Sequence, residues 1–416
     1  MFTVNNKATL NKVLWIIHQE GSTPSAGYGG RHYYMAKELS KLGYKVYLFS
    51  SSTNHLNYSE IEFKGSHLIQ SQENFNLVWV KMPKYKQAHS KLRAINWLLF
   101  PLKIIFLEKH INEKPDAVLC SSPPLLAFLG AQFLAKKHKA KLVFEVRDIW
   151  PLTLIELGGY SPKHPFIRLM QWVENSAYKK SDAVISNLKN SVEHMIPHGL
   201  KQEKFSWIPN GFSLSEVSQN ISLNSHAASQ LPTDKFIVGY AGTLGLANML
   251  DVFIEAASLL KDEKEIVFVI VGQGKEKKNL ETLAANKELN NVVFIDPIPK
   301  VEIQALLAIF DVCYIGLRKS TLFNFGVSPN KLFDYLYAKK PILYAVCSGN
   351  YKPVEETNAG LQIEPQDPQA IANAVLELYK MSPEDRDQMG ANGRKAALEQ
   401  YEYEMLAKKL EKVLFN

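Results

Sequence analysis

The stretch Ser328-Pro329-Asn330-Lys331-Leu332-Phe333-Asp334-Tyr335, with Lys340-Pro341-Ile342-Leu343 close behind, reads as a helix that begins sharply and feeds a buried strand. Proline fits the first turn of a helix and Ser and Asn are capping types, so the spacing predicts a helix near 330–338 and a strand at Ile342–Ala345. Backbone N–H groups at a helix start attract anions. Lys331 and Asp334, the latter read as a first-turn carboxylate, gather at that same point. An anionic ligand with hydroxyl groups suits such a mouth.

Working outward, the same alternation of apolar β-branched runs and helical spacing extends in both directions. Upstream lie predicted strands Phe236–Tyr240, Ile266–Val271, Val292–Ile295 and Val312–Gly316, interleaved with helices near 249–260, 276–287 and 300–309. The first half repeats the theme with strands Val13–His18, Lys45–Ser50, Leu77–Val80, Ala117–Cys120, Lys141–Val146 and Ala183–Ser186. One helix there, Gly30–Leu42, sets Tyr33, Tyr34, Ala36 and Leu39 on one face. Alternating strands and helices predict an α/β chain of two tandem Rossmann-like domains with parallel sheets. The domains are expected at 1–215 and 233–400, with the Ser- and Asn-rich segment 213–233 as linker. A last helix at about 402–414, within 401–416, is a candidate to pack back on the first domain. Ligands bind at the C-terminal ends of such strands, so a cleft between the two domains is the expected site.

A chain of 416 residues with 46% apolar, 11% aromatic and 21% charged residues is long enough for two cores and excludes extended disorder. Its net charge of +7 is uneven: residues 1–215 carry 27 Lys/Arg against 15 Asp/Glu (+12), and the remainder 21 against 26 (−5). A basic first half favours a phosphorylated partner or an anionic membrane surface, and without a nucleic-acid motif it argues against nucleic acid. Cys120, Cys313 and Cys347 sit in or beside apolar runs without metal-type spacing and read as buried thiols in a reducing compartment. Residues Met1–Leu14 lack a signal-peptide run and no stretch reaches about 18 apolar residues, so the expectation is a cytoplasmic, non-spanning protein.

Several short motifs in a fixed order carry a resemblance. These are Gly29-Gly30-Arg31 with Leu42-Gly43-Tyr44-Lys45-Val46, then Glu145-Val146-Arg147-Asp148-Ile149-Trp150-Pro151 and Ile208-Pro209-Asn210-Gly211. Gly239-Tyr240-Ala241-Gly242-Thr243, Val271-Gly272-Gln273-Gly274 and the 328–335 block complete the series. Together they resemble the retaining glycosyltransferases of the GT-B fold, family four, and within it enzymes similar to the L-fucosaminyltransferases of O-antigen and capsule assembly.

The resemblance implies a nucleotide-sugar donor, UDP-linked by expectation, and a saccharide acceptor carried on a lipid diphosphate in some members. It implies no cofactor and no metal. By its pattern Lys331, Arg147 and Asp148 are the catalytic candidates. Gly29, Gly30, Gly242, Thr243, Gly272, Ile298, Arg318, Ser328, Asn330 and Asp334 are the donor-binding candidates. Two departures stand out. Arg147 occupies the place where the family commonly has a histidine, and Gly326 the place of the first of two glutamates, while Asp334 replaces the second.

Each candidate has a plainer reading. The Gly-rich loop Gln19–Gly30 (Gly21, Gly27, Gly29, Gly30) also suits a simple turn. Arg147 also suits an ion pair with Asp148 or Glu145, Ser328 and Asn330 suit ordinary caps, and Asp334 suits a solvated helix position. Because the loop Ala241–Ala247 lacks Arg and Lys, Lys331 is the first candidate to meet a diphosphate and Arg318 or Lys319 the second. His18, His32 and His138 have no ligand-type spacing. Stabilising the leaving diphosphate with aimed donors suffices for transfer chemistry.

Residues 84–110 join Lys84, Lys86, Lys91, Arg93, Lys103 and Lys109 to Trp97, Leu98, Leu99, Phe100, Ile104, Ile105, Phe106 and Leu107. That pattern fits an interfacial helix at a membrane as well as a buried helix with a basic rim. A sugar-nucleotide epimerase and a non-catalytic sugar-nucleotide-binding module stand as alternative functions. The epimerase would require acid/base groups that are not evident.

Overall fold

The computed structural model describes residues 12–26, 29–54, 61–85, 90–219 and 221–416. Gly27 of the first loop, Lys86, the Lys91 side chain and the first eleven residues of the N-terminus lie outside the described residues. Two compact units form: Met1–Pro209 with Tyr403–Asn416, and Asn210–Glu402.

Among the described residues the first unit holds eight strands: β1 (Val13–Ile17), β2 (Lys45–Ser51), β3 (His67–Ser71), β4 (Asn76–Val80), β5 (Ala117–Ser121), β6 (Lys141–Val146), β7 (Ala183–Ser186) and β8 (Phe205–Trp207). Their order is β3-β4-β2-β1-β5-β6-β7-β8, with Leu14 opposite Val46 on one side and Ala117 on the other. All pairings are parallel except β3 with β4. Every residue of β1 and β5 is buried, as a sheet covered by helices on both faces requires. The chain leaves β1 toward β2 on one side and reaches β5 on the other, which makes the β1/β5 boundary the topological switch point.

The second unit repeats the plan with six parallel strands: β9 (Phe236–Ala241), β10 (Ile266–Val271), β11 (Val292–Ile295), β12 (Val312–Gly316), β13 (Ile342–Ala345) and β14 (Gly360–Ile363). Their order, β11-β10-β9-β12-β13-β14, puts the switch between β9 and β12. The fold class expected from alternation, two Rossmann-like α/β sheets, is the one observed.

Details differ from the sequence reading. Three strands were not expected: β3, β8 and β14. The segment 213–233 is not a bare linker, since it contains short helices at Leu214–Val217 and Ser225–Ser229. The final helix, Tyr403–Phe415, belongs to the first unit, where Leu406, Ala407, Leu410 and Leu414 join the core of Met35, Leu39, Leu48 and Trp79. Tyr44 donates to Glu411 at 2.6 Å and stacks on Phe415 with ring centroids 4.4 Å apart. Cys120 and Cys313 are buried free thiols whose burial pushes their ionisation up. Among the described residues no helix is long and apolar enough to cross a membrane.

Candidate active site

In the second unit the loops after β9, β10, β11 and β12 leave the same edge of a parallel sheet, so Gly242, Thr243, Gly272, Ile298 and Arg318 come to one rim. The helix Asn330–Tyr337 starts at that rim, because it follows β12. Its N-cap residue is Pro329, and no side chain caps the first turn. Ser328 and Asn330 are therefore not caps. The Ser328 hydroxyl instead accepts from the Asn210 backbone N–H at 3.1 Å, and its carbonyl accepts from the Asn210 amide at 2.9 Å. No acidic residue occupies the first turn. Asp334, expected there, sits a turn later.

Lys331 is the centre of this rim. Its ammonium donates to the Tyr240 hydroxyl at 2.7 Å and to Asn248 Oδ1 at 3.1 Å, and lies 4.1 Å from the centroid of the Tyr240 ring. All three contacts are neutral, and among the described residues no carboxylate forms an ion pair with it. Burial without a counter-charge lowers its pKa to about 7. Gly242, with φ +154°, borders it: a Cβ there would lie 3.2 Å from Lys331 Nζ. A Cβ on Gly272 would lie 1.9 Å from the Gly242 carbonyl oxygen, so the two turns pack backbone on backbone and only glycine fits. Tyr335 fixes the helix to β9, its hydroxyl accepting from the Ala241 N–H at 2.8 Å and donating to the Ala241 carbonyl at 3.1 Å.

The other cations divide. The Arg318 backbone N–H donates to the Ala247 carbonyl at 2.9 Å, which ties the β12 and β9 loops together, and its side chain is exposed. Lys319 is neutralised by Glu364 at 3.4 Å. Thr243 is exposed, with its carbonyl accepting from the Tyr240 hydroxyl at 2.7 Å and from Asn248 at 3.0 Å. Ile298 is half-buried in the turn after β11. Asp334 is not a solvated helix residue: it is buried and ion-paired with Lys300. Sequence reasoning missed Lys300, Tyr240 and Asn248 as neighbours of these groups. The basic residue opening the predicted helix 300–309 was the only signal for the first.

In the first unit the loop after β1 runs into the helix Arg31–Lys41, with Gly30 as an uncapped N-cap residue and Gly29 packed on Pro24. Arg147 and Asp148 follow β6 at the same sheet edge. Arg147 forms neither ion pair that the sequence offered. Its guanidinium meets His18 Nε2 at 3.2 Å, while its Nε and the His18 Nδ1 are buried without a hydrogen-bond partner among the described residues. Glu145 is committed elsewhere, accepting from Arg31 Nε at 2.8 Å, His32 Nε2 at 2.5 Å and Ser121 at 2.6 Å. Arg31 also donates to the Ile208 carbonyl at 2.9 Å and to the Pro209 carbonyl. Why Glu145 chooses Arg31 is geometric: a β6 residue pointing into the sheet's face meets the helix after β1, whereas Arg147, two residues on, has left the strand.

This buried cluster sets the local electrostatics. Burial opposes ionisation of Glu145, but the Arg31 guanidinium and the hydrogen bonds from His32 and Ser121 outweigh it and hold its carboxyl well below the usual range. Burial and the tilted His32 ring, 4.0 Å away, hold His18 well below its ordinary value, and burial lowers His32 despite Glu145. Asp148 is exposed at the surface, yet the chain crowding around it raises its carboxyl to about 6 against the pull of Arg147. The exposure bounds how far that rise weighs energetically.

Comparison with known proteins gives this arrangement a context. A family model described as Glycosyltransferase Family 4 matches residues 30–216, and one described as Glycosyl transferases group 1 matches residues 222–396. The chain is 25% identical over 354 residues to the putative colanic acid biosynthesis glycosyl transferase WcaI of Escherichia coli K12, covering 82% of this chain and 86% of that one. Among solved structures it is similar to sucrose-phosphate synthase from Thermosynechococcus elongatus, with TM-score 0.70, 16% identity, and 97% and 98% of the two chains covered. It is also similar to Anabaena HepE in complex with UDP, with TM-score 0.66, 16% identity, and 97% and 99% covered. The two structures share the fold of two Rossmann-like sheets. With one glycosyltransferase model matching each half, the chain belongs to the group 1, family 4 glycosyltransferases of the GT-B fold.

Proposed function

We propose that this glycosyltransferase is a retaining enzyme that moves a sugar from a UDP-linked donor to a saccharide acceptor in surface polysaccharide assembly. The observation that carries the donor reading is Lys331, a part-buried ammonium without an ion-pair partner among the described residues, at an uncapped helix start beside the Gly242 turn. A diphosphate supplies the counter-charge that such a group lacks. HepE was solved with UDP, and WcaI is named for colanic acid biosynthesis; both names favour a UDP donor and a polysaccharide product for this chain.

In this reading the bond between the anomeric carbon and the diphosphate oxygen breaks, and the acceptor oxygen attacks the same face. A donor phosphate oxygen takes the acceptor proton. Lys331, the exposed Arg318 and the helix amides meet the growing charge on the diphosphate. Gly29 and Gly30 open a second helix start, Arg147 holds an anionic group and Asp148 accepts from a sugar hydroxyl. Asp334 accepts from ribose hydroxyls once Lys300 turns aside. An N-acetylated amino sugar, as in L-fucosaminyltransferases, is the donor sugar to test first.

A lipid-linked acceptor and attachment to an anionic membrane surface complete the proposal. The helix Lys91–Leu107 buries Phe100, Ile104 and Leu107, yet leaves Leu92, Ile95, Leu98, Leu102 and Phe106 exposed along its other side, Phe106 at 72%. An apolar outer stripe on a unit rich in Lys and Arg is what an interfacial helix requires.

The deciding experiment incubates the protein with a panel of nucleotide sugars, with and without lipid-linked and free saccharide acceptors, and reads the anomeric configuration of the product by NMR. Transfer with retained configuration supports the proposal. Epimerised free donor points to an epimerase, and tight binding with no turnover on any acceptor to a binding module. Inverted product removes the retaining mechanism.

A further inference from the structure

A cluster outside the transfer residues has the composition of a metal site. Glu174 projects from the helix Pro165–Lys180 and its side chain is fully buried. The Tyr178 hydroxyl donates to its Oε1 at 2.9 Å and the Gln171 amide to its Oε2 at 2.6 Å, so the carboxylate is held from both sides. His194 Nε2 lies 2.9 Å from Oε1. His198, four residues on, stacks on His194 with ring centroids 4.2 Å apart.

The tautomer of His198 is fixed by its partner. Its Nδ1 lies 2.8 Å from the His194 backbone carbonyl, which can only accept, so Nδ1 carries the proton and Nε2 presents a lone pair. Metal-bound histidines are oriented in this way, with the far nitrogen donating to a carbonyl. One donor atom from each of Glu174, His194 and His198 falls within 4.8 Å of the others.

We propose that Glu174, His194 and His198 bind one divalent transition-metal ion, of which zinc is the type. Bonds of about 2.0–2.2 Å in a tetrahedron put donors roughly 3.3–3.5 Å apart, so His194 and Glu174 part slightly from 2.9 Å while His198 adjusts within the 4.8 Å that bounds the three. His198 is half-exposed on a turn and supplies that movement. The ion replaces the proton shared between His194 and Glu174. Two imidazoles and one carboxylate favour zinc, cobalt or nickel over calcium or magnesium, and the half-exposed side leaves water the fourth position. The ion ties the helix Pro165–Lys180 to the turn before β8, a structural role apart from sugar transfer.

The test titrates the full chain, first stripped with a chelator, with cobalt(II). One equivalent is expected to raise the visible bands of four-coordinate cobalt, zinc to displace it, and zinc to raise the thermal midpoint. His198→Gln is expected to lose the bands and weaken affinity at least about tenfold, since one of three protein ligands is gone. His67→Gln, at a separate close histidine pair with His110, is expected to keep them. Absence of stoichiometric bands in the unaltered chain, or bands that persist in His198→Gln, overturns the site. Should that variant fail to fold, the zinc dependence of the unaltered chain's midpoint decides: no shift at excess zinc overturns it equally.

Discussion

Replacing Lys331 by methionine keeps an unbranched stem and deletes the ammonium that lies over the Tyr240 ring. A fall from the ordinary 10.5 to about 7 spans 3.5 pH units (10.5 − 7), and at ~1.4 kcal/mol each that caps the cost of holding the charge there at roughly 5 kcal/mol. The sign follows from proton counting. Between about 7 and 10.5 the unfolded chain keeps a proton that the folded chain has lost, so stability rises with pH through that window, and below it the full cost stands. Lys331→Met should therefore not destabilise the protein and should gain most at pH 6. Donor binding should move the other way. A diphosphate restores the proton, so the affinity of the unaltered protein should weaken as pH climbs above about 7, by up to roughly tenfold per unit. A nucleotide sugar is the right probe, because its diphosphate diester does not titrate there. Loss of a charge-assisted hydrogen bond, ~1.5–3 kcal/mol, predicts a dissociation constant raised roughly 10- to 150-fold in the variant, with the pH slope flattened. Calorimetric titration of a UDP-sugar from pH 6 to 8.5 reads both. A variant that binds within about threefold of the unaltered protein, with the same slope, refutes the reasoning.

Four further outcomes are expected. Tyr335→Phe leaves the Ala241 N–H and carbonyl without their hydroxyl partner and should cost ~1–3 kcal/mol in chemical denaturation. Glu145→Gln strands Arg31 in the interior and should cost ~3–5 kcal/mol, read the same way. Because burial holds His18 and His32 below their ordinary 6.5, the unfolded chain takes up protons first, so the unaltered protein should lose stability as pH falls below about 6.5, and further as Glu145 is titrated. Glutamate at both Leu98 and Phe106 should abolish salt-sensitive sedimentation with anionic vesicles while leaving the thermal midpoint within a few degrees; equal sedimentation of both proteins would retire the membrane surface.

How legible this was depended on burial. β10, β11, β12 and β13 occupy the expected spans, because interior parallel strands are continuous apolar runs whose ends are abrupt. β3 was invisible, since His67–Ser71 is a largely exposed antiparallel edge with polar residues and no core pattern. β8 is only three residues, and β14 opens on a glycine. At the site, Lys331 could be singled out from its place after a proline, but its partners could not. Tyr240 and Asn248 lie 91 and 83 positions away, and what brings them together is the switch between β9 and β12. Arg147 shows the limit most clearly. Charge and adjacency offered Glu145 or Asp148, while β6 carries Glu145 to Arg31 and ends before Arg147, which meets a histidine from β1's end.

The return of Tyr403–Phe415 to the first unit has a consequence for biogenesis. Residues 210–402 can complete their sheet as a contiguous segment, but the N-terminal unit waits for the last thirteen residues of helix to leave the ribosome. Until then the seat of Leu406, Leu410 and Leu414 against Met35 and Leu39 stays open and sticky. A ribosome that stalls or stops before codon 403 thus releases a finished downstream lobe joined to an unfinished upstream one, a prime substrate for chaperones and proteases.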